Sequence, residues 1–212
     1  MNRHRRYQLK LQNIMNQNFT KFAFTPSVKD AQEHYGSRKN YESMESDPDR
    51  FLLTEKEKSY LPTLDFFFMS TVGENGWPYV QYRGGPKGFL KIVDDRTLGF
   101  ADYRGNRQYI SVGNINSGGK VALILLDFAH RVRLKIWATA TVTDSEDDPE
   151  LAARLSDPDY KGKVERSITL TIEAYDWNCP QHITPRFTEQ EITADISRFL
   201  PAVKEESCEN CD

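Results

Sequence analysis

Three cysteines in 212 residues, Cys179, Cys208 and Cys211, are too few and too unevenly spaced to frame a disulfide-stapled fold. Long apolar runs are missing as well: none approaches the ~18 residues of a membrane-spanning helix, which excludes a helical membrane protein. The first residues, MNRHRRYQLKLQNIM, are basic but carry no apolar stretch ahead of a small-residue cleavage site. No secretory signal is read there, and a cytoplasmic location is the expectation. A net charge of -3 gives no overall attraction for nucleic acid. The four histidines, His4, His34, His130 and His182, lack the i, i+4 spacing that places two imidazoles on one helical face, so no metal site is expected. The terminal CxxC, Cys208 to Cys211, has no second ligand pair to complete a zinc site, and residues 201–212 read as a flexible acidic tail. Neither a GxSxG elbow nor a Walker loop occurs. Cys179 lies three residues from His182 in WNCPQH, but no third group is at hand to orient a Cys/His dyad.

What is present describes one soluble domain with extensions. Residues 1–24 form an N-terminal extension, and residues 25–64 a helical preamble. In the preamble Thr25-Pro26-Ser27 opens a helix, Val28, Ala31 and Tyr35 recur at near-helical spacing, and Gly36 and Asp47-Pro48 interrupt it. A further helix is predicted from Thr54 to Tyr60, ended by Leu61-Pro62. From Asp65 on, short runs rich in Phe, Val, Ile, Thr and Tyr alternate with Gly, Asp and Asn, the pattern of antiparallel strands. Strands are predicted at Phe66–Val72, Pro78–Tyr82, Phe89–Asp94, Thr97–Asp102, Lys120–Asp127, Arg131–Asp144 and Ser167–Asp176. Gly73-Glu74-Asn75-Gly76 and Asp94-Asp95-Arg96 are the hairpin turns. One helix over Arg107–Asn116 interrupts the strands and another covers Pro149–Leu155. The fold class is mainly β within α+β, an antiparallel closed barrel with flanking helices.

The polar residues that could hold a ligand lie between Gln81 and Gln108. Arg83 precedes Gly84-Gly85-Pro86, where backbone can approach a ligand closely. Lys91 sits in GFLKIV between two apolar neighbours, so it points either to solvent or into a polar cleft. In FADYRGNRQYIS a strand ends at Asp102 and a helix opens near Asn106, a plausible cap. The free N–H groups of a helix start, with Arg107 beside them, make a phosphate pocket. Arg131, Arg133 and Lys135 alternate along RVRLKIW and share one strand face, where an anion, acidic side chains or plain solvation would offset their repulsion.

The stretch GFLKIVDDRTLGFADYRGNRQYIS resembles the FMN-binding split barrels related to pyridoxamine 5′-phosphate oxidase, and the resemblance runs from Asp65 to Arg186. It implies a Greek-key-like split β-barrel over residues 65–200, with FMN bound non-covalently and a homodimer carrying the flavins at its interface. By the same resemblance Lys91 matches a strand lysine, Ala101 and Asp102 a Tyr-Thr pair beside the flavin, and Asn106, Arg107 and Gln108 a Ser-Arg-Lys helix start. Arg83 replaces a strand arginine of the family across an altered loop. Arg133 falls near a cofactor-contacting glutamine, and Trp177 resembles a tryptophan contributed across the dimer interface. The substrate motif of the oxidase, Arg-x-His-Asp with a closing Arg-Leu-x-Pro, is missing. The expectation is therefore an FMN-dependent oxidoreductase on a small molecule, related to the oxidase but distinct in substrate. The alternative is a non-catalytic flavin- or haem-binding sensor on the same barrel. No side chain stands out as a catalytic acid or base.

Overall fold

The computed structural model describes residues 19–46 and 51–194. The cysteines of the acidic tail, most of the N-terminal extension and the Asp47-Pro48 interruption lie outside the described residues. The end of the N-terminal extension forms α1 (Phe19–Ala23), and the preamble folds into α2 (Pro26–His34) and α3 (Arg38–Glu42). Pro26 opens α2 where its missing N–H costs nothing, and Gly36, at φ 73, breaks the chain before α3. The following helix, α4 (Glu55–Tyr60), starts on a reciprocal cap. The Glu57 carboxylate accepts from the Thr54 N–H at 2.8 Å and from its hydroxyl, as the Thr-x-x-Glu spacing allows.

Seven strands follow: β1 (Phe66–Val72), β2 (Pro78–Gly84), β3 (Lys91–Ile92), β4 (Thr97–Tyr103), β5 (Lys120–Asp127), β6 (Val132–Asp144) and β7 (Val164–Asn178). Between them lie α5 (Ile110–Gly118) and α6 (Pro149–Leu155), and α7 (Glu189–Ala194) comes last. All pairings are antiparallel, in the order β2-β1-β5-β6-β7-β4-β3. The predicted full closure does not occur through hydrogen bonds, because β2 and β3 remain edges. The sheet instead curls until side chains meet: the Phe67 ring of β1 lies 5.4 Å from Phe100 of β4 and 5.5 Å from Phe89. This is a split barrel.

Alternation explains its interior. Phe67 and Met69, Leu98 and Phe100, Leu134 and Ile136, and Ile168, Leu170 and Ile172 are all at most 1% exposed, each set at period two on its strand. Each such side chain contributes about 1.5–3 kcal/mol when taken from water. The predicted strand over Phe89–Asp94 shrinks to two residues because Phe89 and Leu90 are both buried. A regular strand would send neighbours to opposite faces; here a turn, with the Phe89 N–H bonded to the Pro86 carbonyl at 2.9 Å, drops both into the core. The turn at Gly73–Gly76 forms with Gly76 at φ 81. At the next turn the Asp94 carboxylate accepts from the Arg96 N–H at 2.8 Å.

The preamble is tied to the barrel through one buried carboxylate. Besides capping α4, Glu57 accepts from the Trp177 indole N–H at 2.5 Å and the Tyr175 hydroxyl at 3.2 Å, both on β7. Burial pushes its carboxyl upward, but the hydrogen bonds from Thr54 and Trp177 outweigh that and hold it below the usual range.

Candidate functional site

At the open seam of the barrel, four elements converge on one polar cavity of about 220 Å³. The edge strand β2 presents Tyr79, Gln81 and Arg83, which share a face because they alternate. Asp102 and Tyr103 come from the end of β4, Arg166 from the start of β7, and Ser111 and Val112 from the first turn of α5. The loop Gly105-Asn106-Arg107-Gln108 closes the rim.

The centre of the wall is an ion-pair triad. Asp102, 6% exposed, accepts from Arg83 Nη1 at 2.9 Å with one oxygen and from Arg166 Nε at 3.0 Å with the other, which also lies 3.0 Å from Arg166 Nη2 in an ion pair. Asp102 shares the inward face of Phe100, so the alternation that fills the core also carries this carboxylate to the seam. Arg83 lies over the Phe100 ring at 5.7 Å and Arg166 over the Tyr109 ring at 4.8 Å. Burial disfavours the charge on Arg166, yet its bond to Asp102 and the attraction between them prevail and raise its pKa. The Arg83 Nε–H is buried and has no acceptor among the described residues. Arg83, Arg107 and Arg166 all line the cavity, against the single carboxylate of Asp102, and guanidinium groups gathered in this way suit an anion.

The loop before α5 differs from its expected form. Asn106 does not cap the helix; its side chain accepts from the Gln108 N–H at 3.2 Å, an Asx turn. The helix begins three residues later than predicted, at Ile110, because Arg107 and Tyr109 take φ of 62° and 54°. Left-handed backbone at two non-glycine residues is costly and clusters where function requires it. The result places the Arg107 side chain over the cavity, hydrogen-bonded to the Tyr109 hydroxyl at 3.2 Å, a contact that raises the arginine pKa. Below it, the Ser111 hydroxyl donates to Gln81 at 2.9 Å and fixes α5 against β2.

Of the residues singled out from sequence, Arg83, Asp102, Asn106, Arg107 and Gln108 meet here. Ala101 is buried and alternates to the other face of β4. Lys91 pairs with Gly99, whose vacant Cβ position faces Leu155 of α6, and it does not line the cavity. Within one chain Lys91 therefore does not join Arg107 at the cavity. Arg133 and Trp177 sit at the opposite end of β6 and β7. The arginine's Nε is buried without an acceptor among the described residues, while the Trp177 ring packs edge-on against Tyr60 under the Lys56 ammonium. Arg131 leaves the expected basic row because, at φ 56, it belongs to the turn before β6, and Lys135 faces Asp176 at 3.6 Å. Cys179 is exposed, and no hydrogen bond joins it to His182 among the described residues. Sequence reasoning missed Arg166 and Tyr109. Arg166 lies 64 positions from Asp102, and only the β4–β7 register, with Asp102 opposite Arg166, reveals the pair.

A second feature covers the outside of the sheet. Val80 and Tyr82 of β2 and Ile124 of β5 are 61%, 58% and 37% exposed. Phe68 and Trp137 help line an apolar hollow of about 200 Å³ beside them. Exposed apolar surface of this kind is a common feature of interaction faces. Among the described residues no helix is long and apolar enough to cross a membrane, and no group of three His, Cys, Asp or Glu side chains is placed to hold a metal.

The sequence profile of the family described as pyridoxamine 5′-phosphate oxidase matches residues 53–174. No curated protein sequence matches the chain. Among solved structures, HupZ of Group A Streptococcus aligns at 16% identity and TM-score 0.48, over 64% of this chain and 100% of that one. A candidate pyridoxamine 5′-phosphate oxidase from Lactobacillus delbrueckii aligns at 26% identity and TM-score 0.44, over 59% of this chain and 93% of that one. An FMN-binding protein from Syntrophomonas wolfei aligns at 16% identity and TM-score 0.43, over 72% and 95% respectively.

Proposed function

The chain belongs to the pyridoxamine 5′-phosphate oxidase family, and from that premise we propose that it is an FMN-binding flavoprotein that acts as an oxidoreductase on a small molecule. The observation that carries the proposal is the seam cavity, where Arg83, Arg107 and Arg166 surround a space that holds one carboxylate, Asp102. That donor set fits a phosphate monoester: planar guanidiniums engage its oxygens two at a time, and the Ser111 and Val112 N–H groups belong to a helix start aimed at the cavity. Bound FMN supplies a ring that exchanges a hydride or electrons with a substrate, so the protein contributes binding, orientation and electrostatics. Arg83, Arg107 and Arg166 hold the phosphate, Asn106 and Gln108 shape the loop around it, and the aromatic rings of Tyr79, Tyr103 and Tyr109 shield the cavity from water.

The cavity is smaller than the roughly 300–1,000 Å³ typical of ligand pockets. One chain thus encloses the phosphate end of a flavin, and a homodimer through the exposed apolar face completes the remainder. Lys91, Arg133 and Trp177 lie outside the cavity of their own chain, and we assign their proposed cofactor role to that assembly. Replacement of Val80 by glutamate puts a charge in the middle of the face and is expected to yield a monomer in sedimentation analysis.

The test of the function is direct. Purified protein is expected to show flavin absorbance near neutral pH and to release a species of the mass of FMN on denaturation. Protein that stays colourless after incubation with FMN and desalting would refute the reading. Arg107→Ala, at the rim, is expected to weaken FMN by about 1.5–3 kcal/mol, the range for hydrogen bonds to charged groups, measured by fluorescence titration.

A further inference from the structure

The cavity that we assign to a phosphate contains a carboxylate, and this demands an explanation. An acid in the wall of an anion site repels the ligand; at the same time it can gather the cations that attract it. We propose that Asp102 is a positioning residue for phosphate recognition: it holds Arg83 and Arg166 side by side across the barrel seam, and through them sets the preference of the site for a phosphate-bearing flavin. The inference rests on the flavin reading of the cavity.

Three features of the wall support this assignment. First, both Asp102 oxygens are engaged, one by each guanidinium, so the carboxylate faces the arginines. Second, the two arginines come from strands that do not neighbour each other in the sheet, β2 and β7, and Asp102 on β4 is the group that ion-pairs with both. Third, their alternatives are unequal. Arg166 also pairs with Glu165 at 2.9 Å, whereas the ion pair of Arg83 is with Asp102 alone among the described residues. Without the carboxylate the two like charges would repel, Arg166 would turn to Glu165, and Arg83 would be free to leave the seam for water. The charge balance agrees. Among the residues that line the cavity, Arg83, Arg107 and Arg166 stand against Asp102 alone. Two positive charges remain uncompensated, matched to the roughly −1.5 to −2 of a phosphate monoester at neutral pH.

The experiment compares FMN with riboflavin, which lacks the phosphate, on the full chain and on Asp102→Asn. Asparagine offers one acceptor oxygen where the carboxylate offers two, and its amide N–H groups face a guanidinium. FMN affinity is expected to fall about tenfold or more, the equivalent of one charge-assisted bond, while riboflavin affinity is unchanged. Tighter FMN binding would show that the carboxylate acts only by repulsion, and equal losses for both ligands would show a merely structural role; either result overturns the proposal. Should Asp102→Asn fail to fold, Asp102→Glu keeps the charge but displaces the arginines, and the same selective loss of FMN is expected. If the unaltered protein binds neither flavin, the flavin reading fails by itself. The comparison is then made with inorganic phosphate by calorimetry, where an undiminished affinity in Asp102→Asn sinks the positioning role.

Discussion

An Arg83→Ala variant is expected to lose both flavin affinity and stability, by amounts that a single titration and a single denaturation curve will resolve. Arg83 lines the cavity and gives one N–H to Asp102 at 2.9 Å. The ligand loss is that of a charge-assisted hydrogen bond, about 1.5–3 kcal/mol, or roughly a 10- to 150-fold rise in the FMN Kd. The stability loss has a separate origin. Asp102 would keep Arg166 but lose its second cation while remaining buried, and breaking such a pair costs about 3 kcal/mol. The Phe100 ring would also lose the guanidinium that covers it. Arg83→Lys separates the two effects, since lysine restores a charge but not the planar fork: stability should recover more than FMN affinity does. A folded Arg83→Ala protein with unchanged FMN affinity would remove the seam cavity from consideration as the phosphate site.

The second large effect is expected at Glu57, far from the cavity. Glu57→Ala removes the carboxylate half of the α4 capping box and leaves the part-buried Trp177 indole without this acceptor. The cap accounts for about 1 kcal/mol and the orphaned indole donor for about 1–3 kcal/mol. Because Tyr175 retains the Leu52 carbonyl at 3.0 Å, a total of about 3 kcal/mol is expected, read as a shift of the urea midpoint. The pH dependence follows from the depressed carboxyl pKa. A group whose folded pKa lies below its unfolded value stabilises fully above the unfolded value, about 4.3 for glutamate, and less as pH falls through the folded value. The stability advantage of the unaltered protein over Glu57→Gln should accordingly hold at neutral pH and shrink below about pH 4. An advantage that grows on acidification would contradict an ionised Glu57 in the folded state.

These expectations depend to different degrees on sequence and on coordinates. The alternation in Phe66–Val72 and Lys120–Asp127, the turn residues at Gly73–Gly76 and Asp94–Arg96, and the start of α6 at Pro149 are local signals. Each is decided by side-chain periodicity or backbone sterics within a few residues, and each appears where predicted. Asn106, Arg107 and Gln108 were legible for the same reason, as a cluster at the junction of strand and helix. The late start of α5 was not: nothing in the residue types of Arg107 and Tyr109 announces left-handed backbone, which the surrounding structure imposes.

By itself, then, the chain of residues determined the β-rich class, most strands, one rim of the cavity and the family to which it belongs, because all of these are carried by short-range pattern. Only the tertiary structure decided that the barrel stays open, that Lys91 lies outside the cavity that Arg107 rims, and that Arg166 joins Arg83 on Asp102. Those facts depend on sheet curvature and strand register, which bring together residues up to 83 positions apart along the chain and leave no mark on the local sequence of any of them.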